Sequence, residues 1–314
     1  MSRHLVDPEL IPFVESIPPL VFSDATIPKV RQMLESALIA APEPPLRPTR
    51  VRAHSRRTRS EVDVLVFDPP NRKSRAAIVH IHGGGTVVGT AASSNTSNAS
   101  IALDHDVLVV SVDYRLAPEC PFPGPQVDCL TAYEWVIENS SALKIDIGSV
   151  IITGESAGGG LAAATSLMVR DEGLPMPRMQ LLTYPMLDYR TGTAVQPGLA
   201  ATGEFIWTRE MNSYCWAALR GSYACDDERV GWYSPAVAAN LSGLAPTFIA
   251  TGALDLFLEE NVNFACRLIA ARVPVEFHVY PGAVHAFDQV FSAAVSRQYR
   301  RDRCAAIRTA FGTT

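Results

Sequence analysis

The chain has 314 residues, 47% of them hydrophobic, enough for one large α/β domain with an accessory piece. Its formal net charge of −5 and pI near 5.8 carry no basic surplus, which argues against a nucleic-acid partner. No run reaches the roughly 18 apolar residues of a membrane span. The opening stretch Met1–Pro8 lacks the apolar core of a signal peptide. Six cysteines (Cys120, Cys129, Cys215, Cys225, Cys266, Cys304) show no metal spacing. They read as reduced and mostly buried, with no Cys215–Cys225 bridge, in a cytoplasmic protein.

Residues up to about 45 read as amphipathic helix, broken at Pro18-Pro19 and Pro42–Pro45. Val14, Ile17, Val30, Met33, Leu34, Leu38 and Ile39 would form its apolar face. A hairpin-like pair follows at 49–56 and 61–67, with Arg50, Arg52, Arg56, Arg57 and Arg59 on a solvated face. Further strands are expected at 76–81, 107–112, 149–153, 178–184, 246–252 and 275–280. Helical patterns at 125–139, 156–172, 258–271 and 295–310 separate most of them. Strands alternating with helices of that length predict crossover units and a mainly parallel sheet of about eight strands. One insertion, 188–225, breaks the alternation with a loop and a helix at 208–219. With the N-terminal arm it would fold over the strand ends as a cap. The division expected is therefore 1–48 (first cap segment), 49–187 (core), 188–225 (second cap segment) and 226–314 (core). Phe205, Ile206, Trp207, Met211, Tyr214 and Trp216 would serve equally well as cap core or as substrate wall.

Four loops carry chemistry. Gly154-Glu155-Ser156-Ala157-Gly158 lies between an apolar run and a small-residue helix, so Ser156 sits at the apex of a strand–turn–helix elbow. Such a turn exposes the hydroxyl at a helix N-terminus and is expected to strain the serine backbone. By itself the motif is weak, since a glycine-rich helix start has the same letters. A second strand, however, ends in His82-Gly83-Gly84-Gly85, whose glycines let backbone N–H groups turn toward a substrate oxygen. Past the late strands come Asp255 and then His285, each in a loop at a strand end, in the order serine, acid, histidine. Catalysis by Ser156, Asp255 and His285 is the reading this order supports.

Together these blocks and Asp113-Tyr114-Arg115-Leu116-Ala117-Pro118-Glu119 resemble the bacterial hormone-sensitive-lipase family of α/β-hydrolases. The resemblance runs along nearly the whole chain past the N-terminal arm. It implies an α/β-hydrolase fold with a two-part helical cap and a serine carboxylesterase activity on short-to-medium acyl esters. It implies Ser156 as nucleophile, His285 as general base and acid, and Asp255 as the group orienting His285. The N–H groups of Gly83, Gly84 and Ala157 would form the oxyanion hole, with His82, Gly85 and Glu155 as supporting residues. The Asp113–Glu119 stretch would be structural support beneath the site. No metal and no organic cofactor is implied; the partner is a small-molecule ester, with a homodimer as a further expectation. Lactones, aryl esters or lipids on the same triad are the alternatives, and a non-catalytic receptor-like member is another. Three positions depart from the family pattern: Thr86 replaces an aromatic residue, Glu155 an Asp or Thr, and Leu256 a Pro.

Overall fold

The computed structural model describes residues 2–18 and 20–313. Met1 and the break expected at Pro19 lie outside the described residues. The apolar runs become β1 (Thr49–His54), β2 (Glu61–Phe67), β3 (Ala77–Ile81), β4 (Leu108–Asp113), β5 (Val150–Glu155), β6 (Met179–Thr183), β7 (Thr247–Gly252) and β8 (Val275–Tyr280). They form one sheet in the order β1-β2-β4-β3-β5-β6-β7-β8. The β1–β2 and β2–β4 pairs are antiparallel, and every later pair is parallel. β3, β6 and β7 are buried along their whole length, as uninterrupted apolar runs covered on both faces must be. β1 edges the sheet, and its outward Arg50 and Arg52 pair with Asp63, Glu61 and Asp113. These exposed pairs are worth little in stability but keep the edge charged.

The helices are α1 (Ile11–Ser16), α2 (Ile27–Ile39), α3 (Asn95–His105), α4 (Gly124–Glu138), α5 (Ala157–Asp171), α6 (Arg209–Arg220), α7 (Val230–Tyr233), α8 (Leu258–Ala270) and α9 (Ala294–Phe311). α4, α5 and α8 cover one face of the sheet. α3 and α9 cover the other. A third apolar cluster joins Phe22, Ile27 and Val30 of the N-terminal arm to Trp207, Met211, Trp216 and Leu219. It also contains Val87, Ala157 and Phe257, so the arm and α6 pack directly over the ends of β3, β5 and β7.

Two expectations are corrected. The apolar stripe assigned to the arm does not all face inward. Met33, Leu34 and Ile39 are exposed, because α2 meets the third cluster only through its first turns, where Ile27 and Val30 are buried. The cysteines are all free, but only Cys129 and Cys215 are buried. Cys266 lies on the outer face of α8, and Cys120, Cys225 and Cys304 are partly exposed. α3 has no counterpart among the expected helices. Its first turns, Asn95-Thr96-Ser97-Asn98, are poor helix formers, and packing of Ala99, Ile101 and Ala102 against β4 overrides that preference.

Candidate active site

β5 ends at Glu155 and α5 begins at Ala157, leaving Ser156 alone to make the turn. Its backbone takes φ 58° and ψ −123°, a conformation L-residues avoid and one that only the surrounding packing can hold. The Ser156 N–H donates to Thr183 O (2.9 Å), and its carbonyl accepts from Met186 (2.9 Å) and Gly160 (3.1 Å). Close approach makes glycine obligatory two residues on. A Cβ at Gly158 would stand 2.0 Å from the Ile81 carbonyl oxygen.

Asp255 leaves the end of β7 and His285 the end of β8. Asp255 Oδ2 lies 2.8 Å from His285 Nδ1, and His285 Nε2 lies 3.0 Å from Ser156 Oγ. The other carboxylate oxygen, Oδ1, accepts from the Phe257 N–H (2.9 Å), which fixes the acid's orientation. All three side chains are buried: Ser156 is 5% exposed, Asp255 1% and His285 5%. With a carboxylate at Nδ1 the imidazole proton resides there, so Nε2 offers its lone pair to the serine hydroxyl. The imidazole is also walled by rings, with centroids of Tyr184, Phe257 and Trp207 at 4.6, 5.4 and 5.7 Å. Trp207, left open between cap core and substrate wall, therefore borders the histidine. Met211 and Trp216 are buried in the third cluster, Tyr214 packs against it, and Phe205 and Ile206 pack toward the sheet.

The glycine loop after β3 abuts the elbow. A Cβ at Gly83 would lie 3.0 Å from Glu155 O and 3.4 Å from the Ser156 Cβ. Gly84 adopts φ +112°, open only to glycine, and this turns the loop. Among the described residues, the N–H groups of Gly83, Gly84 and Ala157 have no protein acceptor. His82 Nδ1–H donates to Gly83 O (2.7 Å), and its ring stacks on Tyr114 with centroids 4.2 Å apart. Burial depresses the His82 imidazole to about 4, so it is neutral. Tyr114 in turn donates to His82 O (3.0 Å). Ala117 N–H donates to Thr86 O (2.9 Å), and Arg31 bonds both Glu119 oxygens and the Val87 and Ala117 carbonyls. The Asp113–Glu119 stretch thus lies under the glycine loop and is tied to it. Gly85 sits against Trp207 and Cys215.

A polar chain behind the elbow escaped the sequence reading. His80 Nε2 meets Glu155 Oε2 at 2.9 Å, and His80 Nδ1 accepts from Asn98 Nδ2 at 3.1 Å. Burial works to raise the Glu155 carboxyl, but His80 and Arg303 outweigh it and hold it below the usual carboxylate range. The available signal was a histidine inside the otherwise apolar β3 run. Of the departures, Leu256 is buried in the third cluster, and Thr86 is buried at φ +66°. Glu260 does not approach His285. It accepts from the Leu187 N–H at 2.6 Å, and burial holds its carboxyl well above the usual range. Among the described residues no cluster of His, Cys, Asp or Glu could hold a metal ion, and no helix is long and apolar enough to cross a membrane.

Strand ends carrying a serine, an acid and a histidine in hydrogen-bonded sequence define a class, and comparison with known proteins agrees. Residues 78–289 match the family model described as alpha/beta hydrolase fold. The chain belongs to the α/β-hydrolases, in their bacterial hormone-sensitive-lipase-like branch. It is 30% identical over 292 residues to Esterase LipI of Mycobacterium tuberculosis, covering 91% of this chain and 89% of the relative. It is 32% identical over 229 residues to an ethyl acetate hydrolase of Pseudomonas putida, covering 71% and 70%. Among solved structures, a bacterial heroin esterase superposes with a TM-score of 0.89 at 32% identity, over 99% of both chains.

Proposed function

We propose that this chain is a serine carboxylesterase that cleaves short-to-medium acyl esters through an acyl-enzyme. The observation that carries the reading is the relay Asp255–His285–Ser156, with contacts of 2.8 and 3.0 Å on a strained elbow. Ser156 Oγ attacks the ester carbonyl carbon while His285 Nε2 takes its proton. The carbonyl π bond becomes an oxyanion, facing the N–H groups of Gly83, Gly84 and Ala157; losing one such donor typically costs about 10²–10³ in turnover. Collapse of that intermediate expels the alcohol, which takes the proton from His285. Water then adds to the acyl-enzyme, giving its proton to the same nitrogen, and the acid departs as Ser156 recovers its hydrogen. Asp255 stays ionised throughout and stabilises the imidazolium.

Packing of the arm and α6 over the strand ends supports a cap and hence small substrates, as do relatives whose names specify esters. The presence of His285 against Ser156 argues against a non-catalytic receptor. Free cysteines support a reducing, cytoplasmic setting. The homodimer implied by the resemblance would use β8, the edge strand opposite β1. A ladder of p-nitrophenyl esters from acetate to palmitate, run with wild type and Ser156→Ala, tests the reading. Turnover should peak at short or medium chains and vanish in the variant. Rates that climb into long chains would make it a lipase, and a fully active variant would end the nucleophile assignment.

A further inference from the structure

Beside the elbow is a small cavity between the turn after the glycine loop, α4, the start of α5 and α6. Thr86, Gln126 and Trp216 line it together with Ala157, Met186 and Leu219. Its volume is about 10 Å³, room for one water-sized group. Apart from Tyr233, whose hydroxyl donates to the Trp216 carbonyl (2.9 Å), the rest of the wall is apolar, yet three lining residues carry buried polar atoms with no protein partner among the described residues: Thr86 Oγ1, Gln126 Oε1 and Trp216 Nε1. Their residues are 2%, 1% and 5% exposed. A buried polar atom left unpaired typically costs about 1–3 kcal/mol, so three on residues lining one small space point to a place built for a polar occupant.

The kinds of atom specify the occupant. Trp216 Nε1 can only donate, the Gln126 Oε1 can only accept, and the Thr86 hydroxyl can do either. A carbonyl placed there would leave Gln126 unpaired, and an ammonium would leave Trp216 unpaired. A methyl would leave all three. A hydroxyl donates to one and accepts from another, and so satisfies the set. Ala157 belongs both to this wall and to the N–H groups proposed to face the oxyanion, so the cavity adjoins the place of the ester carbonyl.

We propose that this cavity is a specificity subsite for a hydroxyl borne by a short acyl group, making the preferred substrates esters of small hydroxy acids. The inference rests on the esterase reading and deepens it. With a plain acyl ester, one water would hold the cavity. A hydroxyl of the substrate replaces that water and keeps its hydrogen bonds, whereas a methyl displaces it with nothing in return. The three residues come from distant parts of the chain, and Thr86 is a position where the resembling family carries an aromatic.

The test compares kcat/KM for ethyl 3-hydroxybutanoate against ethyl butanoate, and for ethyl glycolate against ethyl acetate. Each ratio is divided by the corresponding hydroxide-catalysed ratio, which removes the intrinsic activation by the hydroxyl. We expect a corrected preference of about tenfold or more in at least one pair, because a site that hydrogen-bonds a hydroxyl discriminates against its absence. That preference should collapse toward one in Trp216→Phe and in Gln126→Leu, whatever happens to the absolute rates. A corrected wild-type ratio near one in both pairs would overturn the proposal and leave the cavity to a structural water. A preference that persists in both variants would overturn it too, since the hydroxyl would be read elsewhere. Should a variant fail to fold, the wild-type ratio and the remaining variant still decide. Absence of turnover on all four esters would instead count against the esterase reading itself.

Discussion

Replacing Asp255 by asparagine removes one charge and almost no volume, so any effect comes from the hydrogen bonds the new amide makes. Oδ1 of Asp255 accepts from the Phe257 N–H at 2.9 Å. The amide oxygen of the introduced residue keeps that bond, so its NH₂ group is turned toward His285 Nδ1, where Oδ2 now stands at 2.8 Å. Nδ1 must then accept, and the imidazole proton moves to Nε2. That nitrogen, 3.0 Å from Ser156 Oγ, becomes a donor to the hydroxyl whose proton it should take. The variant keeps the geometry and loses the base. The expected fall in kcat/KM is about 10⁴-fold, or about 5.5 kcal/mol of transition-state stabilisation. The assay is hydrolysis of p-nitrophenyl acetate by Asp255→Asn and wild type, with thermal melting in parallel. Residual activity should rise with pH as hydroxide substitutes for the lost base. Activity within tenfold of wild type, at an unchanged Tm, would rule out Asp255 as the orienting acid. Asp288, half-buried near His285, would then be the next acid to test.

Other outcomes come from the packing and the charges. Gly158→Ala places a Cβ 2.0 Å from Ile81 O and 2.5 Å from His82 O, both backbone atoms that cannot step aside. We expect a loss of about 3 kcal/mol or more and of most turnover, because the elbow and the glycine loop are forced apart; a variant with wild-type Tm and rate would be incompatible with that packing. His82 bears on stability against pH. Its folded pKa of about 4 lies below the ordinary 6.5, so the unfolded chain binds the extra proton first and stability drops as pH falls from about 6.5 through 4. Glu155 acts in the same direction at lower pH. Its depressed carboxyl adds stability above the unfolded pKa, and that stability is lost as pH falls through the folded one. The Asp288 and Glu260 carboxyls, both raised by burial, act in the opposite sense, so only a difference isolates His82. Between pH 7 and 4.5, wild type should lose about 2 to 3 kcal/mol relative to His82→Gln in urea melts. A pH-independent difference between the two would exclude this role for His82.

Most of the fold was legible because its central strands, β3 to β7, are apolar runs with both faces covered, while the flanking strands alternate polar and apolar residues. β2 and β8 match their expected bounds, and the other strands differ by one or two residues at one or both ends. Ser156, Asp255 and His285 were legible for a related reason: each lies in the loop that leaves a strand, and parallel strands bring such ends to one rim. α3 was not legible, since its opening residues favour turns and only burial against β4 makes them helical. Nor was the His80–Glu155 contact, which joins residues 75 apart and depends on β3 and β5 lying side by side. The polar cavity was hidden for the same reason: Thr86, Gln126 and Trp216 meet only once α4 and α6 have packed around the turn. The exposure of Met33, Leu34 and Ile39 has another origin. Periodicity says that a stripe is apolar, and it does not say how much of the stripe finds a partner.

The proposed activity turns on Ser156 being a nucleophile activated by His285, and covalent labelling reads that property without a substrate. The folded protein is treated with a fluorophosphonate, and peptides are mapped by mass spectrometry in wild type, Ser156→Ala and His285→Ala. We expect one label per chain, carried by Ser156, absent from Ser156→Ala and far slower in His285→Ala. A label on another residue, or none on a folded wild-type protein that still turns over esters, would show that the nucleophile lies elsewhere.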